Sequence, residues 1–285
     1  MLIRRCPFVL LFTVVFMLGC KSWNQSIESS VLKLPTPRLA MDSVGVDLTF
    51  VRVPPNERDL EQTIWAEADE QCIPPEVRAH LNANGIRCGV IGRQLPTALV
   101  RLLEESESND LSRDDVRATD VLTRGRHQRW KSGRRVPIVA TAAERSLVLL
   151  HQQLNDEGLT GQSFVDAQGF LAAKPYPKKD GRVRVEITPE IHHGAVKQQW
   201  IAGEGTWQLK SGKERHVLSD LQMNLEIAHG QALLVSCTED HSGIGRTLFI
   251  DSSSGDPQQK MLFLRIAEMQ QDELFDQLVV TENGE

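Results

Sequence analysis

Cys237, Glu239 and His241 recur at a spacing of two. On an extended strand successive side chains alternate sides, so all three would face one way, with Asp240 beside them. Thiolate, carboxylate and imidazole are ligands for zinc or copper, and His192-His193 adds nitrogens if the hairpins adjoin. The spacing matches no established structural zinc pattern, and the polar, glycine-containing stretch Thr238–Gly245 also reads as a solvated loop. A second group is the basic run Arg124, Arg126, Arg129, Lys131, Arg134 and Arg135, with His127 and Trp130 interleaved. Cations around an aromatic suit anionic lipid headgroups, at about 1 kcal/mol per basic side chain near the surface. Acidic envelope polymers fit equally, and so does a solvated face that balances the acidic stretch before it. Cys72 and Cys88 lie sixteen apart. They are candidates for a disulfide in an oxidising compartment; with Cys237 they also fit as small buried core residues.

Covalent and cofactor chemistry have less behind them. Gly161-Gln162-Ser163 lacks the second glycine of a nucleophile elbow. His192, His216 and His241 are possible bases, but no serine or cysteine is placed beside them by the sequence. There is no H-E-x-x-H zinc motif, phosphate-cradling loop or dinucleotide fingerprint. The many acidic residues offer no distinctive pair for hydrolysis. No cofactor is expected, and the reading leans away from an enzyme.

The elements that would carry these residues follow from periodicity. Residues 44–105 read as a small β-α-α-β-α module. Val46, Leu48 and Phe50 alternate with Asp47 and Thr49, while Leu60, Ile64 and Ala68 recur every four residues over 57–71. Val77 and Leu81 mark a second helix, which Asn84-Gly85 stops. Ile86–Ile91 is a short strand, and Leu99, Leu102 and Leu103 make a third helical face. Residues 106–135 read as a charged linker. Residues 136–269 turn largely to antiparallel β: Val183, Val185 and Ile187, then Leu221, Met223, Leu225 and Ile227, alternate with polar residues. Ala232–Val235 and Leu262–Ile266 read as more fully buried strands. Arg145–Leu154 fits helix or strand alike. The fold class expected is α+β, with a 270–285 acidic tail.

The chain opens Met1-Leu2-Ile3-Arg4-Arg5, then runs apolar from Phe8 to Leu18 and closes on Gly19-Cys20. A charged start, an apolar core and a small-residue exit make residues 1–19 a secretory signal peptide. A spanning helix needs about 20 apolar residues; this run stops after eleven. Met17-Leu18-Gly19-Cys20 resembles the lipobox of bacterial lipoproteins, with Met17 where the family prefers Leu. The resemblance implies that Cys20 is acylated and becomes the mature N-terminus. Lys21 then implies outer rather than inner membrane. The proline-bearing residues 20–43 read as anchor and tether. Loss of Arg4 and Arg5 moves the formal net charge from −6 to −8, which argues against nucleic acid as a partner.

Arg182–Ile191 (RVRVEITPEI) is similar to a strand of the bacterial secretin channel domain. Val136-Pro137 before it and Asn224–Val235 after it fall in similar order. The chain departs from that family in three ways. About 130 residues is short for the channel domain, Ser236-Cys237 stands where a double glycine is usual, and no aromatic girdle is visible. Together these readings imply a non-enzymatic, lipid-anchored envelope protein facing the periplasm or exterior, within an envelope complex or homo-oligomer. The alternatives are an anchored hydrolase of envelope polymers, or a cationic module that binds anionic lipid or glycan.

Overall fold

The computed structural model describes residues 42–54, 58–111, 126–154, 158–202, 207–251 and 257–269. These belong to one compact unit, Leu39–Glu285. The signal segment 1–19, Cys20, nearly all of the 20–43 tether, Arg124 and the 270–285 tail lie outside the described residues. Among the described residues no helix is long and apolar enough to cross a membrane.

The class is α+β, with antiparallel sheets. In chain order the first elements are β1 (Ser43–Val53), α1 (Arg58–Ala66), α2 (Pro75–Ala83), β2 (Ile86–Ile91) and α3 (Thr97–Leu111). Strands β3 (Arg126–Lys131), β4 (Val136–Val139), β5 (Glu144–Gln152), β6 (Leu159–Pro177), β7 (Arg182–Ala202), β8 (Trp207–Val217), β9 (Met223–Ala228) and β10 (Ala232–Cys237) follow. Helix α4 (Gly243–Phe249), β11 (Ile250–Asp251) and β12 (Gln258–Met269) close the fold. Short 3-10 turns occupy Glu70–Cys72 and Ser219–Leu221.

Sheet A runs β2-β10-β12-β1-β3, with β11 against β12. Sheet B runs β4-β6-β7-β8, with β5 added to β6 and β9 to β7. Sheet A explains the more fully buried strands. Along β10, Ala232 and Leu234 enter one core with Ile64 and Trp65 of α1 and Leu99 and Leu102 of α3. Leu233, Val235 and Cys237 enter the other, which is shared with sheet B. Strand β12 splits likewise, with Met261 and Phe263 against Leu262, Leu264 and Ile266. The result is three layers: helices, sheet A, sheet B. Where a strand has a layer on each side it is apolar on both faces, as β10 is from Ala232 to Val235 and β12 from Met261 to Leu264.

The expected 44–105 module and 136–269 domain therefore share a sheet. Strand β10 lies between β2 and β12, and β1 lies between β12 and β3. The expected linker 106–135 contains the last part of α3 and all of β3, which pairs with β1 from Ser43↔Lys131 to Leu48↔Arg126. Arg145–Leu154 resolves as strand: β5 buries Leu147, Leu149 and His151 and exposes Val148 and Leu150. The 220–227 alternation begins one step later than expected, because Asp220 and Leu221 sit in a 3-10 turn before β9.

Candidate functional site

The polar side chains that converge most closely come from three separate elements. His80 stands in the last turn of α2, His151 near the end of β5, and Asp220 in the Ser219–Leu221 turn. His80 Nε2 lies 3.2 Å and His151 Nε2 2.9 Å from the same oxygen, Asp220 Oδ2. Their side chains are only 10%, 11% and 23% exposed, so water competes weakly for these contacts. Local sequence explains each position. Pro75 starts α2 in its first turn, where no intrahelical N–H is lost. Alternation along β5 sends His151 inward with Leu147 and Leu149.

Asn84 holds two of the three segments together. Fully buried, it caps α2. Its Nδ2 donates to the His80 carbonyl at 3.1 Å and to the Gln152 carbonyl at 2.9 Å, and its Oδ1 accepts from Gln152 N–H at 2.8 Å. The amide thus matches the backbone of β5 one residue past His151. His216 of β8 borders the group. Burial lowers its pKa, and the charges of His193 and His151 lower it further against the opposing pull of Asp220. Phe164 of β6 packs on His193 and His216, with ring centroids at 4.8 and 5.2 Å.

A second cluster sits on sheet B. Glu190 is 3% exposed and is gripped by Arg135, through Nε at 3.0 Å and through Nη2 to the other oxygen. His192 Nε2 stands 3.0 Å from Glu190 Oε2, and its ring stacks on Phe170 at 4.0 Å. Burial pushes the Glu190 pKa up, but the hydrogen bonds of His192 and Arg135 and their positive charge outweigh it, and the carboxyl falls to about 2. In the core between the sheets, Lys260 donates to the Ala140 carbonyl and lies 5.5 Å from the Phe50 ring. Burial brings its ammonium down to about 8.

A cleft of about 300 Å³ is lined by Val53, Glu61, Glu239, His241, Ile250 and Gln259, among others. Gln259 bridges it, donating to Glu61 Oε1 at 2.7 Å and Ser236 Oγ at 3.0 Å, with His241 Nε2 3.1 Å from its Oε1. Burial raises the Glu61 pKa, and the Gln259 hydrogen bond partly offsets this.

The structure distributes the residues singled out from sequence unevenly. Glu239 and His241 line the same cleft, while Cys237 is wholly buried at the end of β10, its thiol pushed by burial to about 12. Among the described residues, the ligand atoms that gather within 4.8 Å of one another are those of His80, His151 and Asp220, not Cys237, Glu239 and His241. The chain leaves strand geometry after Cys237, and His241 has a positive φ of 45°, so the three side chains do not alternate onto one face. Cys72 and Cys88 are free thiols, Cys88 in the core and Cys72 partly buried against it. Burial pushes Cys72 to about 11 and Cys88 well above its ordinary value. The basic run divides: Arg129, Lys131 and Arg134 are exposed, Trp130 is buried, and Arg135 belongs to Glu190. Of Arg126 only the backbone, in β3, is described.

His80, His151 and Asp220 lie 69 to 140 residues apart in the pairs that touch, which no local motif encodes. The available signal was the inward phase of His151 on β5, and that required the strand assignment. No family model, curated protein or solved structure matches this chain.

Proposed function

We propose that this chain is a non-enzymatic, lipid-anchored envelope protein that acts as an assembly or binding component of a larger complex. The anchor rests on Cys20 at the end of a charged-then-apolar leader. Assembly rests on the outer side of the β5/β6 hairpin. Among the described residues β5 pairs with β6 alone, so before Gln152, whose backbone Asn84 holds, its other edge offers backbone donors and acceptors to another strand. Register places Val148, Leu150, Leu159 and Val165 on one face. They are 60%, 47%, 62% and 66% exposed. Contiguous exposed apolar side chains beside an open edge favour strand addition by a partner. The similarity of Arg182–Ile191 to a secretin strand supports secretin-type complexes as the setting, with the outer membrane as the address favoured by Lys21.

The test is extraction of the native protein from membranes in mild detergent, followed by measurement of its mass. The expected result is an oligomer or a defined complex that contains the chain. A monomer with no stable partner overturns the assembly reading.

A further inference from the structure

We propose that His80, His151 and Asp220 form a binding site for a divalent transition cation of the zinc type. Two imidazole nitrogens and one carboxylate oxygen come within 4.8 Å of one another from three elements. Around a four-coordinate zinc, with bonds of about 2.0–2.1 Å, neighbouring ligand atoms stand roughly 3.3 Å apart. The two contacts to Asp220 Oδ2, at 3.2 and 2.9 Å, are close to that spacing. Both histidines present the same nitrogen, Nε2, to the same point. A cation there takes the place of the two imidazole protons that otherwise bridge to Asp220, and draws together the two nitrogens, which lie within 4.8 Å of each other.

The surroundings fit such a site. Asn84 fixes the backbone at His80 and one residue past His151, which holds the two elements in place around the group. The group is mostly but not wholly shielded, and three protein ligands leave a fourth coordination position. Mixed imidazole and carboxylate ligands select zinc-like ions over calcium or magnesium, which prefer all-oxygen sets. A pure hydrogen-bonding pin, with Asp220 accepting from both rings, is the competing account. Only metal uptake separates the two.

The full-length protein, extracted in detergent and stripped with chelator, is dialysed against Zn2+ and, separately, Co2+. One Zn2+ per chain is expected, with visible ligand-field bands from Co2+ and no thiolate charge-transfer band in the near ultraviolet. Asp220→Asn keeps a hydrogen-bond acceptor but removes the anionic ligand, and His151→Gln removes a nitrogen. Each should weaken Zn2+ binding at least about tenfold, while His241→Gln leaves it unchanged. Circular dichroism establishes that each variant is folded. The proposal is overturned if the wild-type chain takes up no Zn2+ and stays colourless with Co2+. It is equally overturned if a thiolate band appears, or if folded Asp220→Asn binds as well as wild type. The Co2+ spectrum of the wild-type chain decides the matter even where a variant fails to fold. None of these outcomes bears on oligomeric state, so the site and the assembly reading stand or fall separately.

Discussion

Arg129 and Arg135 belong to one basic run, yet only Arg135 is bound into the protein. Its guanidinium grips the buried Glu190, whereas Arg129 faces solvent on β3. Removing one partner of a buried ion pair leaves the other charge poorly compensated, here with His192 beside Glu190. Arg135→Met should therefore cost about 3–5 kcal/mol in a urea unfolding experiment. Arg129→Met should change stability by no more than about 0.5 kcal/mol. The pH dependence follows from the same pair. Glu190 titrates near 2 when folded against an ordinary 4.5. Its contribution is complete above the unfolded value and is lost progressively as pH falls through about 2. In Glu190→Gln the acid-side loss of stability between pH 4.5 and 2 should flatten; an unchanged slope contradicts the assignment. Sequence composition marked the run as cationic but not which cation was committed, because Glu190 lies 55 positions away on another strand.

At the scale of elements, the turn after α2 and the start of α4 are fitted backbone to backbone. A Cβ on Gly245 would stand 1.7 Å from the Gly85 carbonyl oxygen, and one on Gly85, at φ +76°, would stand 1.9 Å from the Ser242 carbonyl oxygen. Gly245 N–H donates to the Asn84 carbonyl at 3.0 Å, so this contact also supports the residue that clamps β5. Gly245→Ala should destabilise by about 3 kcal/mol, the upper range for overpacking, read as a shift in denaturation midpoint. The β5 edge makes the opposite prediction. Val148→Lys with Leu150→Lys adds charge to an exposed face and should leave the unfolding midpoint nearly unchanged. It should disperse the detergent-extracted assembly into smaller species. Retention of full mass in that variant removes β5 as the contact surface. Alternation made β7 and β9 legible, since Val183, Val185 and Ile187 are buried between polar neighbours. It failed on β5, where Leu147 to Leu150 are all apolar although only every second one is buried. Helix α4 was also missed, because Gly243 and Gly245 at its start fall in the stretch that reads as a solvated loop.

For the whole molecule, the decisive fact is that sheet A draws strands from both ends of the described chain. Strand β10 pairs with β2 and β12 with β1, both distant in sequence, and sequence patterning carries no record of such pairing. The apolar composition of those strands did signal fuller burial, but not that α1 and α3 supply one of the covering layers. For the same reason the His80–His151–Asp220 site was invisible until α2, β5 and the turn before β9 were brought together. The envelope role proposed for this chain depends on its being exported and acylated at Cys20. Intact-mass spectrometry of the protein purified from its native membranes tests this most directly. The predicted species lacks residues 1–19 and carries an N-terminal cysteine with the added mass of a diacylglyceryl group. A chain that retains Met1, or begins at an unmodified Cys20, contradicts it.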